Sequence, residues 1–302
     1  MIQRLLWVLV VGFLLYSLGL LAWRSCVPGQ VITSPPIQAG ARPSPTPVSC
    51  LQPAALFPAA LRNGQSRDTA AWSAFGRPET GWAIYEPLIA HEIGSPCPAD
   101  SAAFAQALAS WQVGHGLKST GEMDQPTLSA LRLVWLSRRP FVAQSEHQGC
   151  PAPPPASALV LARPDEGYGS KPIQLLPQAL AAWRKMAAAA RLEVPVAAAD
   201  RRLLTIFSGY RDPVADAVRC ATGEVCGTIA KALCSAHRTG LAMDLYLGAA
   251  PGYDPASSAD ANRLYLSRTP TYHWLVANAG RFGFVNYPFE PWHWEYVGHT
   301  LH

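Results

Sequence analysis

The hydrophobic pattern changes character several times along the chain. From Leu5 to Trp23 it is apolar without a charge, flanked by Arg4 and Arg24, a run long enough to predict a membrane-spanning helix. A Pro-rich stretch follows and predicts an extended spacer. Phe104, Ala107, Leu108 and Trp111 then recur at helical spacing. Leu128, Leu131 and Trp135 repeat the pattern behind Asp124, an N-cap residue, with Pro126 in the first turn. These are two short helices joined by the turn GLKSTGEMD. A second Pro-rich break, CPAPPPAS, starts at Cys150. Beyond it Leu180, Trp183, Ala187 and Ala190 mark one face of a helix opened by Pro177, and LLTIFSGY reads as a strand. In GLAMDLYL, residues 240–247, Leu241, Met243, Leu245 and Leu247 alternate with Gly240, Ala242, Asp244 and Tyr246, a strand buried on one face.

These segments predict five parts: an anchor over 1–26, a linker over 27–50, a helical region over 51–149 with its core at 98–140, a linker over 150–165, and a domain over 166–302. Helices segregated from an antiparallel sheet make that last domain α+β. Its length is enough for a core of its own.

The end of the apolar run, LLAWRSC, sets the cellular expectation. Trp23 and Arg24 spoil both a signal-peptidase site and the small residues expected before a lipidated Cys26. An uncleaved anchor in the cell envelope, with the rest of the chain on the periplasmic side, is the expectation; secretion after cleavage is the alternative. The seven cysteines agree with an oxidising compartment, since setting Cys26 aside leaves Cys50, Cys97, Cys150, Cys220, Cys226 and Cys234. A bridge among the last three would brace the approach to His237. No CxxC pair argues for a cysteine metal site.

Charge excludes more than it suggests. A net +4 spread among scattered arginines is no nucleic-acid stripe, and no glycine-rich phosphate loop predicts a nucleotide. The chemistry lies near the C-terminus, in SAHRTGLAMD (235–244) and EPWHWE (290–295). His237 sits on the turn into the strand that carries Asp244, and Gly240 and Ala242 beside it leave space for a metal and a substrate backbone. Pro291 argues against a helix, so a kink or bulge there brings Glu290 and His293 together, His293 as ligand and Glu290 as an unligated base. Glu295 is placed to orient an imidazole. Trp292 and Trp294 are equally suited to a peptide groove or to the core. The HE at His91 lacks the second histidine of a zinc helix, because Ser95 occupies that place.

The pattern SxHxxGxAxD followed by ExWH resembles the zinc D-alanyl-D-alanine carboxypeptidases and dipeptidases of the VanY type, over about Tyr168 to Gly298. The resemblance implies Zn2+ held by His237, Asp244 and His293, with Glu290 as general base. It also implies Arg211, in SGYRDP, near the scissile bond and Ser235 as a substrate contact. The implied reaction is attack of a metal-activated water on the carbonyl before a terminal D-alanine, with Arg211 sharing the oxyanion. Asp216 departs from the glutamine many such sequences carry five residues after the arginine, a change that bears on substrate and not on the metal. Separately, FAQALASWQVGHGLKSTGEMDQPTLSAL is similar to small three-helix peptidoglycan-binding domains. The partners so implied are peptidoglycan stem peptides and glycan. An endopeptidase on the same fold and a catalytically silent wall-binding protein are the competing readings.

Overall fold

The computed structural model describes residues 49–214, 217–218 and 234–298. The expected anchor and nearly all of its spacer lie outside them, as do Cys26, Asp216, Cys220 and Cys226. Among the described residues no helix is long and apolar enough to cross a membrane.

The first part is helical: α1 (Phe57–Thr69), a hairpin of β1 (Ala71–Trp72) and β2 (Glu79–Thr80), α2 (Glu86–Glu92), α3 (Ala102–Gly114), α4 (Gln125–Ser137) and α5 (Pro140–Gln148). Ser101 caps α3 by accepting from the Phe104 amide at 3.2 Å, and Asp124 caps α4 by accepting from the Thr127 amide at 2.9 Å. Phe104, Leu108 and Trp111 face Leu128, Leu131 and Trp135 in one apolar cluster with Trp82 and Tyr85. Buried Gln112 pins the intervening turn, accepting from Gly121 at 2.9 Å and donating to Glu122 O at 3.0 Å and to the Thr127 hydroxyl at 2.9 Å. Gly121 has a φ of +68°, and a Cβ there would meet Ala105 O at 2.6 Å, so only glycine fits.

The second part mixes helices with an antiparallel sheet, as the α+β expectation requires. Strand β3 (Val160–Leu161) pairs with β4 (Gln174–Leu175), and α6 (Pro177–Glu193) and α7 (Pro195–Ala199) follow. The main sheet has the order β5 (Ile206–Ser208), β6 (Ala242–Leu245), β8 (His293–Tyr296), β7 (Phe284–Asn286), every pair antiparallel. Helices α8 (Asp260–Ser267) and α9 (Pro270–Asn278) lie between β6 and β7 in the chain. Leu180, Trp183, Ala187 and Ala190 of α6 pack with Ile206, Met243, Leu245, Phe284 and Trp294. Trp292 joins the same core, so both tryptophans flanking His293 are packing residues and not groove walls.

Two expectations need correction. Strand β6 is buried on both faces, and on the second face Asp244 is covered by His237 and His293. Gly240 precedes the strand: with a φ of +69° it closes the 3-10 turn Ala236–Thr239, and its role is conformational rather than to clear space beside Asp244.

Residues 47–302 form one compact unit. Phe289, from the β7–β8 loop, is buried in the helical part's cluster. Fully buried Arg263 of α8 donates to Phe289 O at 2.8 Å, to Glu79 at 2.6 Å and to the Tyr85 hydroxyl. The disulfides Cys50–Cys97 and Cys150–Cys234 add covalent ties. Cys234 thus braces the approach to His237 through Cys150, not through its sequence neighbours.

Candidate metal centre

Strand register assembles the centre. Asp244 pairs directly with His293, and Ala242 with Glu295, so these four side chains share one face of the sheet while Met243 and Trp294 point into the core. Ser208 is opposite Asp244 on β5 and lies on the same face. His237 arrives from the 3-10 turn, where the Ser235 hydroxyl accepts from the His237 amide at 3.3 Å. Glu290 arrives by a β-turn: its carbonyl accepts from the His293 amide at 2.9 Å, with Pro291 at the second position that favours it. That turn, rather than a bulge, brings the Glu290 carboxyl to 3.9 Å from His293 Nδ1.

His237 Nε2 lies 3.2 Å from one Asp244 oxygen, and His293 Nδ1 lies 2.9 Å from the other. One ligand atom from each of the three falls within 4.8 Å of the others, and all three residues are buried. Those separations are close to the ~3.3 Å edge of a tetrahedron of nitrogen and oxygen ligands about a zinc-sized ion. The outer ring nitrogens are fixed from behind. His237 Nδ1 donates to Gly209 O at 2.7 Å, and His293 Nε2 is held by Glu295 Oε1 at 3.1 Å. Two imidazoles with their inner nitrogens turned on one carboxylate suit a divalent cation, and the donor set fits zinc.

The charges agree. Burial works to raise the Asp244 carboxyl, yet His237 and His293 outweigh it and hold it far below the carboxylate range. Burial works to lower His293, but hydrogen bonds to Asp244 and Glu295 push it up to about 9. His237 is lowered, chiefly by burial. Glu290 goes the other way, pushed up to about 7 by burial and, after the opposing pull of His293, by the charge on Asp244.

Residues 172–299 match the family model VanY, D-alanyl-D-alanine carboxypeptidase. They are a VanY-family domain. Among curated proteins, none matches the chain.

Within the VanY domain, Arg211 donates to the Ser235 hydroxyl at 2.7 Å and to the Ser208 hydroxyl at 3.3 Å, and its amide donates to His237 O at 3.2 Å. Its guanidinium is therefore aligned from the strand and from the histidine turn at once. Ser235 is engaged twice inside the protein, by Arg211 and by the His237 amide, which makes it a brace for both. On the sheet face, beside Ala242 and Glu295, is a pocket of about 400 Å3 walled by Phe141 and Gln144 of α5 and by Ala236 and Thr239 of the histidine turn. The HE at His91 is elsewhere, and Glu92 there accepts two hydrogen bonds from Arg138.

Three contributors had no signal in the sequence. The Gly209 carbonyl is a backbone group. Tyr287 meets the His293 ring edge-on at 6.0 Å. Arg139, in the joint between α4 and α5, donates to Glu295 and, against burial, is first among the groups that bring that carboxyl down to about 2.

Proposed function

We propose that this protein is a zinc-dependent peptidase that removes the C-terminal D-alanine from peptidoglycan stem peptides, acting on the periplasmic side of the membrane from an N-terminal anchor. The observation that carries the reading is the buried His237, Asp244, His293 cluster with Glu290 beside it, inside a VanY domain. Two disulfides and the apolar run at 5–23 support the location.

Zinc held by the three ligands would supply an acidified water and polarise the scissile carbonyl. Glu290 would take a proton from the attacking water as its oxygen adds to the carbonyl carbon, and return it to the nitrogen of the departing D-alanine when the C–N bond breaks. In the metal-free fold burial already pushes this carboxyl up to about 7, the direction a proton-transferring group needs. Two serine hydroxyls hold the Arg211 guanidinium in line, so it stabilises the negative charge that develops on the carbonyl oxygen.

The test is mass spectrometry of a purified stem pentapeptide incubated with the protein, with and without chelator. Loss of a single alanine that stops with chelator and returns with zinc is expected. Internal cleavage would favour an endopeptidase, and no product with any added divalent metal would overturn the enzymatic reading.

A further inference from the structure

Glu295 stands directly opposite Ala242 in the sheet, and its Oε1 holds His293 Nε2 at 3.1 Å. The same oxygen accepts from Arg139, at 3.0 Å from Nε and again from Nη2. Arg139 lies 156 positions earlier in the chain, in the helical part, and both side chains of the pair are buried. The guanidinium also lies over the Tyr287 ring, 4.1 Å from its centre. Tyr287 in turn meets the His293 ring edge-on, and its amide donates to His293 O at 3.0 Å. Both Glu295 and Tyr287 thus connect this guanidinium, in one further step, to His293.

A buried arginine–carboxylate pair is a poor way to gain stability, because desolvating the two ions offsets most of their attraction and an apolar pair would serve as well. What such a pair does supply is orientation. Two N–H groups of one guanidinium converge on Glu295 Oε1 and so fix the position of the oxygen that faces the imidazole. A fixed Glu295 holds the proton of a neutral His293 on Nε2 and leaves the Nδ1 lone pair directed at Asp244.

We infer that Arg139, contributed by the helical part, is a positioning residue for the metal centre, acting through Glu295 to set the ring orientation and tautomer of His293. The inference rests on the metal reading above. It makes the helical part a structural component of the centre and not only a module attached to it.

The test uses the full-length protein in detergent and reads zinc affinity by competition with a chromophoric chelator. Arg139→Met should weaken zinc roughly tenfold or more, the scale of losses when a partner behind a metal ligand is removed. Arg139→Lys, which keeps the charge without the fork, should recover part of that loss. In a Glu295→Gln background, Arg139→Met should cause no further loss, because the path runs through that carboxylate. Arg138→Met, which removes only the pair with Glu92, should leave the affinity unchanged. A purely structural clip would change the melting of the metal-free protein and leave zinc affinity alone. Affinity within twofold of wild type in Arg139→Met, or an equal loss in the Glu295→Gln background, overturns the inference. Should Arg139→Met fail to fold, the comparison of Glu295→Gln with the double variant decides: equal affinities support it and a further loss overturns it. A wild-type protein that binds no zinc overturns the metal reading itself, and this inference with it.

Discussion

Replacing Glu290 by glutamine should move stability and activity in opposite directions. The carboxyl is largely buried, 3.9 Å from His293 Nδ1 and so short of a hydrogen bond, and its pKa rises from 4.5 to about 7. A carboxyl raised on folding costs nothing below its unfolded pKa and its full penalty above the folded one. The gap corresponds to about 3 kcal/mol at pH 8 in the metal-free protein, as an upper figure. Glutamine keeps the shape and removes the charge. Urea unfolding of chelator-treated protein should therefore show Glu290→Gln more stable than wild type by ~1–3 kcal/mol at pH 8, with the difference vanishing near pH 4.5. Zinc-loaded Glu290→Gln should lose a factor of ~10²–10⁴ in kcat on a stem pentapeptide, the usual contribution of a positioned proton acceptor. A variant no more stable than wild type at pH 8 would refute the electrostatic argument, and turnover within tenfold of wild type would remove Glu290 from the mechanism.

Zinc binding should release at least about one proton per ion at pH 7.5 and fewer at pH 9.5, because the metal-free fold keeps His293 protonated up to about 9. The same raised pKa means that His293 stabilises the metal-free protein fully below pH 6.5 and that this contribution fades as pH rises through about 9. Calorimetric titration in buffers of different ionisation enthalpy measures the release, and none at pH 7.5 would contradict the charge assignment. Arg263→Met should cost ~3 kcal/mol, the lower end for breaking a buried pair, since Arg77 at 3.5 Å still partly compensates Glu79. Thermal unfolding should show a fall of roughly 10 °C. A change under 2 °C would mean that the Arg263 network does not join the two parts energetically.

Local chemistry was legible in the sequence. Asp124 and Pro126 start α4, Pro177 starts α6, and the alternation around Asp244 marks β6, because caps and periodicities act within a few residues. The three donors and Glu290 were likewise visible as residue types crowded into two short runs. Their convergence depends on the strand register that sets Asp244 opposite His293 and on the turn at Pro291, and both arise from pairing across the fold. The bridge from Cys150 to Cys234, the burial of Phe289 in the helical cluster and the reach of Arg139 to Glu295 had no local mark at all. An arginine carries no sign of its partner when 156 residues separate them. Only packing, which brings Arg139 of the helical part onto Glu295 of β8, selects which charge must meet which, since a charge buried there without a partner is too costly to keep.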